Sequence, residues 1–144
     1  MRKLLLVITL ASGLHLAHAQ KSVYTELPGR LFSQGKEMFL NNNYVGCINT
    51  LQEFKNQSKD IKLMEEADYM IVSSLFYQGK AGDGTILKDF LDDYPESYHR
   101  NQISFFTGSI HFQQKDWNKA LHWFSQVDID YLSVSEQEDY SYRM

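Results

Sequence analysis

The sequence predicts an all-α fold, a stack of antiparallel helix pairs with about seven helices, and three observations lead there. A pattern occurs twice, 73 residues apart and without a gap. The first copy is Gly35-x2-Met38-Phe39-x4-Tyr44-x2-Cys47-Ile48-x2-Leu51-x2-Phe54, and the second is Gly108-x2-His111-Phe112-x4-Trp117-x2-Ala120-Leu121-x2-Phe124-x2-Val127. A weaker copy lies between them, at Tyr69-x2-Val72-Ser73-x2-Phe76-Tyr77 and then Ile86-Leu87-x2-Phe90-Leu91. That is where a repeat of about 34 residues with a few insertions requires one. The apolar positions recur at helical spacing, and units this short bury their apolar faces only by stacking on neighbours.

The first element is a leader. Arg2 and Lys3 precede a mostly apolar run from Leu4 to Leu16, and Ala17-His18-Ala19 has the small-x-small form of a cleavage site. Residues 1–19 therefore read as a cleaved signal peptide, with Gln20 first in the mature chain. The apolar run is 13 residues long and broken by Ser12 and Gly13, too short for a transmembrane anchor. Residues 20–28 are a polar lead-in.

Pro28 and Gly29 open a first helix carrying Leu31, Phe32, Gly35, Met38 and Phe39. Asn41-Asn42-Asn43 makes a turn, because asparagine tolerates left-handed backbone. Tyr44, Cys47, Ile48, Leu51 and Phe54 form the stripe of a second helix, which the polar stretch Asn56 to Asp60 breaks. The second pair runs from about Lys62 to Tyr77 and from about Thr85 to Asp93, around the glycine-rich turn Gln78 to Gly84. Tyr94-Pro95-Glu96-Ser97 closes it, since proline ends a preceding helix. A fifth helix spans about Ser97 to Gln114, Lys115-Asp116 turns, and a sixth reaches Val127. Ser133-Val134-Ser135-Glu136 has the spacing of a capping box and starts a seventh. The repeats are thus 29–61, 62–96 and 97–130, with a fourth pair beginning at 133–144. Tyr140 on that last helix wants a covering partner, so we expect further repeats after Met144.

Cleavage after Ala19 leaves 125 residues with 12 basic against 18 acidic side chains, a net of −6. Nucleic-acid binding needs clustered positive charge and is not expected. Cys47, the sole cysteine, has no internal disulfide mate and matches Ala120 in the other copy, so it reads as a small packed residue. His99, His111 and His122 have no metal-site spacing, and His111 takes the place of Met38. Gly82-Asp83-Gly84 lacks the Gly-Lys-Ser/Thr ending of a phosphate loop and the spaced carboxylates of a calcium loop. The carboxylates Glu65, Glu66, Asp68 and Asp89, Asp92, Asp93 lie beside Lys62 and Lys88 on solvated helix faces. No serine or cysteine sits in a nucleophile context. The chain carries no enzyme signature, and no cofactor or metal is expected.

The aligned copies resemble the tetratricopeptide repeat family over residues 29–144. The resemblance implies a right-handed superhelix. It implies small residues at the close approach of paired helices (Gly35, Ser73 and Gly108, faced by Cys47 and Ala120). It also implies turn aromatics wedged between helices (Tyr44, Trp117) and a unit-closing proline (Pro95). The middle unit departs from the pattern, having no turn aromatic and a short second helix. The leader ending in Ala-Gln, the segment Asp93 to Ser97, and Val127-Asp128-x3-Leu132-Ser133 are similar to the amino-terminal part of exported repeat proteins of Bacteroidetes-type bacteria. Those work in the periplasm, with outer-membrane assembly or the cell envelope.

In such repeats the first helix of each pair lines a concave groove that holds a peptide or helix of a protein partner. By position the groove residues are Phe32, Lys36 and Phe39, then Met70, Ser74 and Tyr77, then Phe105, Ser109 and Phe112. Two readings of these aromatics stand: anchors for a partner, or packing between adjacent helices, the commoner use of a helical aromatic stripe. Two other functions remain open. Trp117, Trp123 and the tyrosines suit a glycan- or nutrient-binding envelope protein, and the repeats suit a docking arm of a longer protein.

Overall fold

The computed structural model describes residues 27–144. The expected signal peptide and residues 20–26 of the lead-in lie outside the described residues. Seven α-helices pack as successive pairs, and no strand occurs among the described residues. Helix α1 covers residues 27–40, so Pro28 and Gly29 stand in its first turn and Leu27, assigned to the lead-in from sequence, is already helical. It is followed by α2 (Tyr44–Gln57), α3 (Ile61–Tyr77), α4 (Thr85–Asp93), α5 (Arg100–Gln113), α6 (Trp117–Phe124) and α7 (Val134–Arg143).

The three turns within the helix pairs, α1–α2, α3–α4 and α5–α6, begin in the same way. Asn42, Gly79 and Lys115 are left-handed, with φ of 58°, 67° and 62°. Around each, three backbone amides close back onto the helix end. Asn41, Asn42 and Asn43 donate to Glu37, Phe39 and Met38. Gln78, Gly79 and Lys80 donate to Ser74, Phe76 and Leu75, and Gln114, Lys115 and Asp116 to Ile110, Phe112 and His111. This is a Schellman closure, which satisfies carbonyls the helix leaves open. Glycine and asparagine accept the left-handed backbone cheaply, whereas lysine does not. Lys115→Gly should therefore raise stability by about 0.5–1 kcal/mol in urea unfolding, the left-handed penalty removed less the extra entropy of an unfolded glycine.

Caps fix where the next helices start. The Asn43 side chain accepts from Gly46 N–H, and Asp116 does the same for Lys119 N–H. Asp60 caps α3, and Ser133 with Glu136 completes the capping box of α7. Helix α5 starts at Arg100, three residues later than read from sequence, because Ser97 Oγ accepts from His99 N–H and holds a turn after Pro95. Helix α6 stops at Phe124 rather than Val127. Asn101 then clamps the chain by exchanging two hydrogen bonds with the Asp128 backbone (3.0 and 2.7 Å), and a 3-10 turn, Ile129–Tyr131, follows.

Packing proceeds through two apolar clusters joined at Tyr69. One holds Leu31, Cys47, Leu51, Phe54, Ala67, Met70 and Ile71, between α1, α2 and α3. The other gathers Leu87, Phe90, Leu91, Ile103, Phe106, Ala120 and Phe124 around α5. Glycines set the helix spacing at two equivalent places. A Cβ on Gly35 would stand 2.4 Å from Leu51, and one on Gly108 would stand 2.6 Å from Phe124. Helix α5 is buried at eight consecutive residues, Ile103 to Ile110, so it is covered on every side. That demands small side chains, and Ser104, Thr107, Gly108 and Ser109 supply them.

The left-handed residues also fix the register of the middle unit. Counting back from Gly79 as from Asn42 and Lys115, Val72 rather than Ser73 stands where Gly35 and Gly108 stand. The adjacent aromatics Phe76 and Tyr77 both fit the sequence pattern, which hides the one-residue step. Val72 is bulkier than the glycines at the equivalent places.

Candidate functional site

The first helices of the pairs, α1, α3, α5 and α7, lie side by side, and their aromatic side chains meet across the seams. Phe39 lies edge-on to Tyr44 and Tyr69, with centroids at 6.2 and 6.3 Å. Tyr44 stacks on Tyr77 (5.3 Å, 21° between planes), and Tyr77 stands edge-on to Phe106 (5.4 Å, 75°). Phe76 stacks on Phe106 at 4.0 Å. A continuous run of rings therefore crosses from α1 to α5. Such contacts each contribute about 0.5–1.5 kcal/mol beyond burial and fix the ring orientations.

Tyr77 is the most open member, 47% exposed. Its phenol pKa is pushed up, first by burial of the ring and then by the carboxylate of Glu136. It therefore stays a neutral hydroxyl. Glu136 also accepts from Gln102 Nε2, which brings the first turn of α7 beside α5. A cavity of 480 Å³ opens next to Tyr77, lined by Phe76, Ile110, Gln113, Gln114 and the backbone of Gly79 and Gly82. Phe76, Ala81 and Ile110 give it an apolar wall beside the amide side chains of Gln113 and Gln114, a mixed lining that suits an apolar side chain flanked by peptide groups.

At the other end of the face, the His99 ring is stacked on Tyr69 (centroids 3.4 Å) and packed against Tyr98. Its Nε2 lies 3.2 Å from Glu66, which also accepts from the Tyr98 hydroxyl. Burial lowers the His99 pKa and outweighs the pull of Glu66 and Glu65. A histidine with a depressed folded pKa contributes stability above its unfolded pKa of about 6.5, and that contribution is lost as pH falls through the folded value. The melting temperature should thus drop between pH 7.5 and 5, and His99→Gln should flatten that part of the profile.

The nine residues read as groove-facing divide by burial, and with Val72 in the place of Gly35 the middle trio shifts from Met70, Ser74 and Tyr77 to Tyr69, Ser73 and Phe76. Met70, Ser74, Phe105 and Ser109 are interior, at 0–3% exposure, where the stack encloses them. Met70 belongs to the α1–α2–α3 cluster, and Phe105 packs on Phe124 at 6.1 Å. Phe32 is half-buried against Phe54 (5.3 Å), and Phe39 and Phe112 are also half-buried. Lys36 and Tyr77 are exposed. Phe112 meets Trp117 edge-on at 5.2 Å and carries the Arg143 guanidinium 5.1 Å above its ring. Phe32, Lys36, Phe39, Tyr77 and Phe112 are therefore the members with accessible surface beyond a buried edge.

Cys47 and Ala120 are buried, and burial raises the Cys47 thiol pKa. Pro95 is exposed just after α4. Phe106, Tyr69, Glu136 and Gln102 also belong to this face and were not singled out from sequence. Only the doubled aromatics Phe76-Tyr77 and Phe105-Phe106 hint at it.

A larger cavity, 560 Å³, lies between α2, α3 and α4. Its central polar groups satisfy one another: Lys55 pairs with Asp68, and the Tyr94 hydroxyl donates to Asp68 at 2.8 Å. Among the described residues no three His, Cys, Asp or Glu side chains gather as a metal site, and no helix is long and apolar enough to cross a membrane. No protein-family model, curated protein or solved structure matches this chain.

Proposed function

We propose that the chain is an exported scaffold of the tetratricopeptide-repeat type, not an enzyme, that holds a peptide or helical segment of a protein partner in the bacterial cell envelope. The observation that carries this reading is the ring-lined face of α1, α3 and α5. It is pre-formed, it exposes Tyr77, and a 480 Å³ cavity lies beside it. A rigid aromatic surface loses little entropy on binding, so more of the contact energy appears as affinity. The mechanism is non-covalent. An apolar side chain of the partner enters the cavity, while the neutral Tyr77 hydroxyl, Gln113 and Gln114 satisfy its backbone. Export rests on the leader at residues 1–19, and the family on the resemblance of the aligned copies; the recurring turn, cap and glycine geometry supports a repeat of helix pairs.

A photo-cross-linking amino acid at Lys36, on this face, should capture discrete partner species in intact cells. The same group at Lys88, exposed on α4, should not, and Tyr77→Ala should abolish the Lys36 products while the far-UV circular dichroism is unchanged. Equal cross-linking from both positions would sink the reading.

A further inference from the structure

The glycine-rich turn between α3 and α4 borders two cavities. Gly79 and Gly82 line the one beside Tyr77, whereas Asp83 and Thr85 line another, of 350 Å³, and Gln114 borders both. This other cavity lies between α4, α5 and α6. Left-handed Gly84 (φ 90°) seats the start of α4 against α5, where a Cβ would lie 3.7–3.9 Å from Ile110 and Thr107. Lys88 of α4, His111 of α5, and Lys119 and Trp123 of α6 complete the wall.

His111, Lys119 and Trp123 stand 73 residues after Met38, Gly46 and Thr50. In the first copy those three close on one another: a Cβ on Gly46 would lie 2.8 Å from Met38 Sδ, and Thr50 Oγ1 donates to the same sulfur at 3.5 Å. In the second copy an imidazole replaces the thioether, and a lysine replaces the glycine. His111 Nδ1 is buried and has no hydrogen-bond partner among the described residues. A buried polar atom left unpaired costs desolvation, so a ligand that reaches it recovers that cost. The other ionisable groups on the wall are Lys88, Lys119 and Asp83. Lys88 pairs with Asp92, and Lys119 with Asp116 at 2.9 Å, but the two lysines are 61% and 64% exposed. Such exposed pairs hold weakly, so both ammonium groups are free to turn to a ligand. Asp83 is already engaged, its Oδ1 accepting from Thr85 N–H at 3.0 Å, and the N-terminus of α4 adds partial positive charge.

We propose that this cavity binds a phosphate group, held by His111 Nδ1–H and the ammonium groups of Lys88 and Lys119. The three donors come from three different helices rather than from one plane. That arrangement suits a tetrahedral oxyanion better than a flat carboxylate, and lysine binds phosphate as a point charge. At 350 Å³ the cavity is near the lower end of small-ligand sites, about 300–1,000 Å³, so it takes a phosphate and a small group attached to it, the latter against the Trp123 ring. The donors are helix side chains, so no phosphate-loop motif announces them. None of the three belongs to the ring-lined face, and phosphate binding does not depend on a partner there.

Trp117→Phe keeps an aromatic ring at the turn and leaves Trp123 as the sole tryptophan of the full chain, a reporter on the cavity wall. Inorganic phosphate, titrated at constant ionic strength, should change its emission saturably. Glycerol 3-phosphate should saturate it at lower concentration if the natural ligand is a phosphate monoester, and at equal or higher concentration if it is the free ion. His111→Met restores the residue of the first copy, so circular dichroism should be unchanged. Phosphate affinity should nevertheless fall by about ten-fold or more, the share of a charge-assisted hydrogen bond. Lys88→Gln and Lys119→Gln should each weaken binding by about three-fold. Asp83→Asn should tighten it, because the amide oxygen can still accept from Thr85 N–H while the repulsion is gone. Three results overturn the proposal: an emission change that chloride reproduces or that never saturates, an affinity unchanged in both His111→Met and the double lysine variant, or weaker binding in Asp83→Asn.

Discussion

Gly108→Val will destabilise the protein by about 3 kcal/mol, the upper part of the range for overpacking a filled core. A Cβ at this position falls 2.6 Å from two atoms of the Phe124 ring, and Phe124 is itself 1% exposed. The ring has no way out. It packs on Phe105 at 6.1 Å and on Tyr140 at 5.6 Å, and Tyr140 donates its hydroxyl to the Phe124 carbonyl. Valine exceeds glycine in helix propensity by only about 0.3–0.5 kcal/mol, a small gain that the steric term must overcome. At Gly35 the facing group is Leu51, also fully buried, but a leucine can change rotamer where a phenylalanine ring cannot. Gly35→Val should therefore cost less than Gly108→Val. The decisive measurement is a double-mutant cycle with Phe124→Leu by urea unfolding. The pair should lose clearly less than the sum of the single changes, because the smaller side chain makes room for the valine. Additive losses would mean that the helices do not meet at this point.

The same two glycines show why so much of the fold was legible. They are the fixed points of a pattern that also carries the turn and the cap, and each depends on a few consecutive residues. Asn42 takes the left-handed backbone its side chain favours, and Ser133 and Glu136 form the box their spacing announces. These are local effects, readable without knowing the neighbours. The middle register was not legible, because Phe76 and Tyr77 are equally aromatic and only the position of Gly79 in the turn decides between them. Nor was the burial of Met70, Ser74, Phe105 and Ser109. Helical spacing gives the face on which a residue lies, but not how many helices crowd that face. Helix α5 is covered by α3, α4, α6 and α7 together, which no periodicity records. Glu136 reaches the phenol of Tyr77 from 59 residues away, through the placement of α7 across α5. The Ile129–Tyr131 turn is too short to carry a period at all.

Phe106→Ala should have the other large effect, and set beside Tyr77→Ala it separates what holds the ring-lined face from what the face presents. Phe106 is fully buried, stacked on Phe76 at 4.0 Å and touched edge-on by Tyr77 at 5.4 Å. Truncating a buried phenylalanine costs about 3–5 kcal/mol through lost transfer energy and the cavity left behind. That is a large share of the roughly 5–15 kcal/mol that keeps a domain folded, so Phe106→Ala should melt more than 10 °C lower. Tyr77 has nearly half its surface in solvent, and its losses are the stack on Tyr44 and the edge contact with Phe106. Its truncation should cost only about 1–2 kcal/mol. Thermal unfolding orders the two variants, and cross-linking from position 36 reads partner capture. If Tyr77 is a contact residue, its alanine variant loses capture while still folded at growth temperature. The same loss would appear in Phe106→Ala only as far as the fold itself is lost. The reverse outcome, a folded Tyr77→Ala chain that still captures its partner, would make the exposed ring a packing residue and move the binding surface elsewhere on the stack.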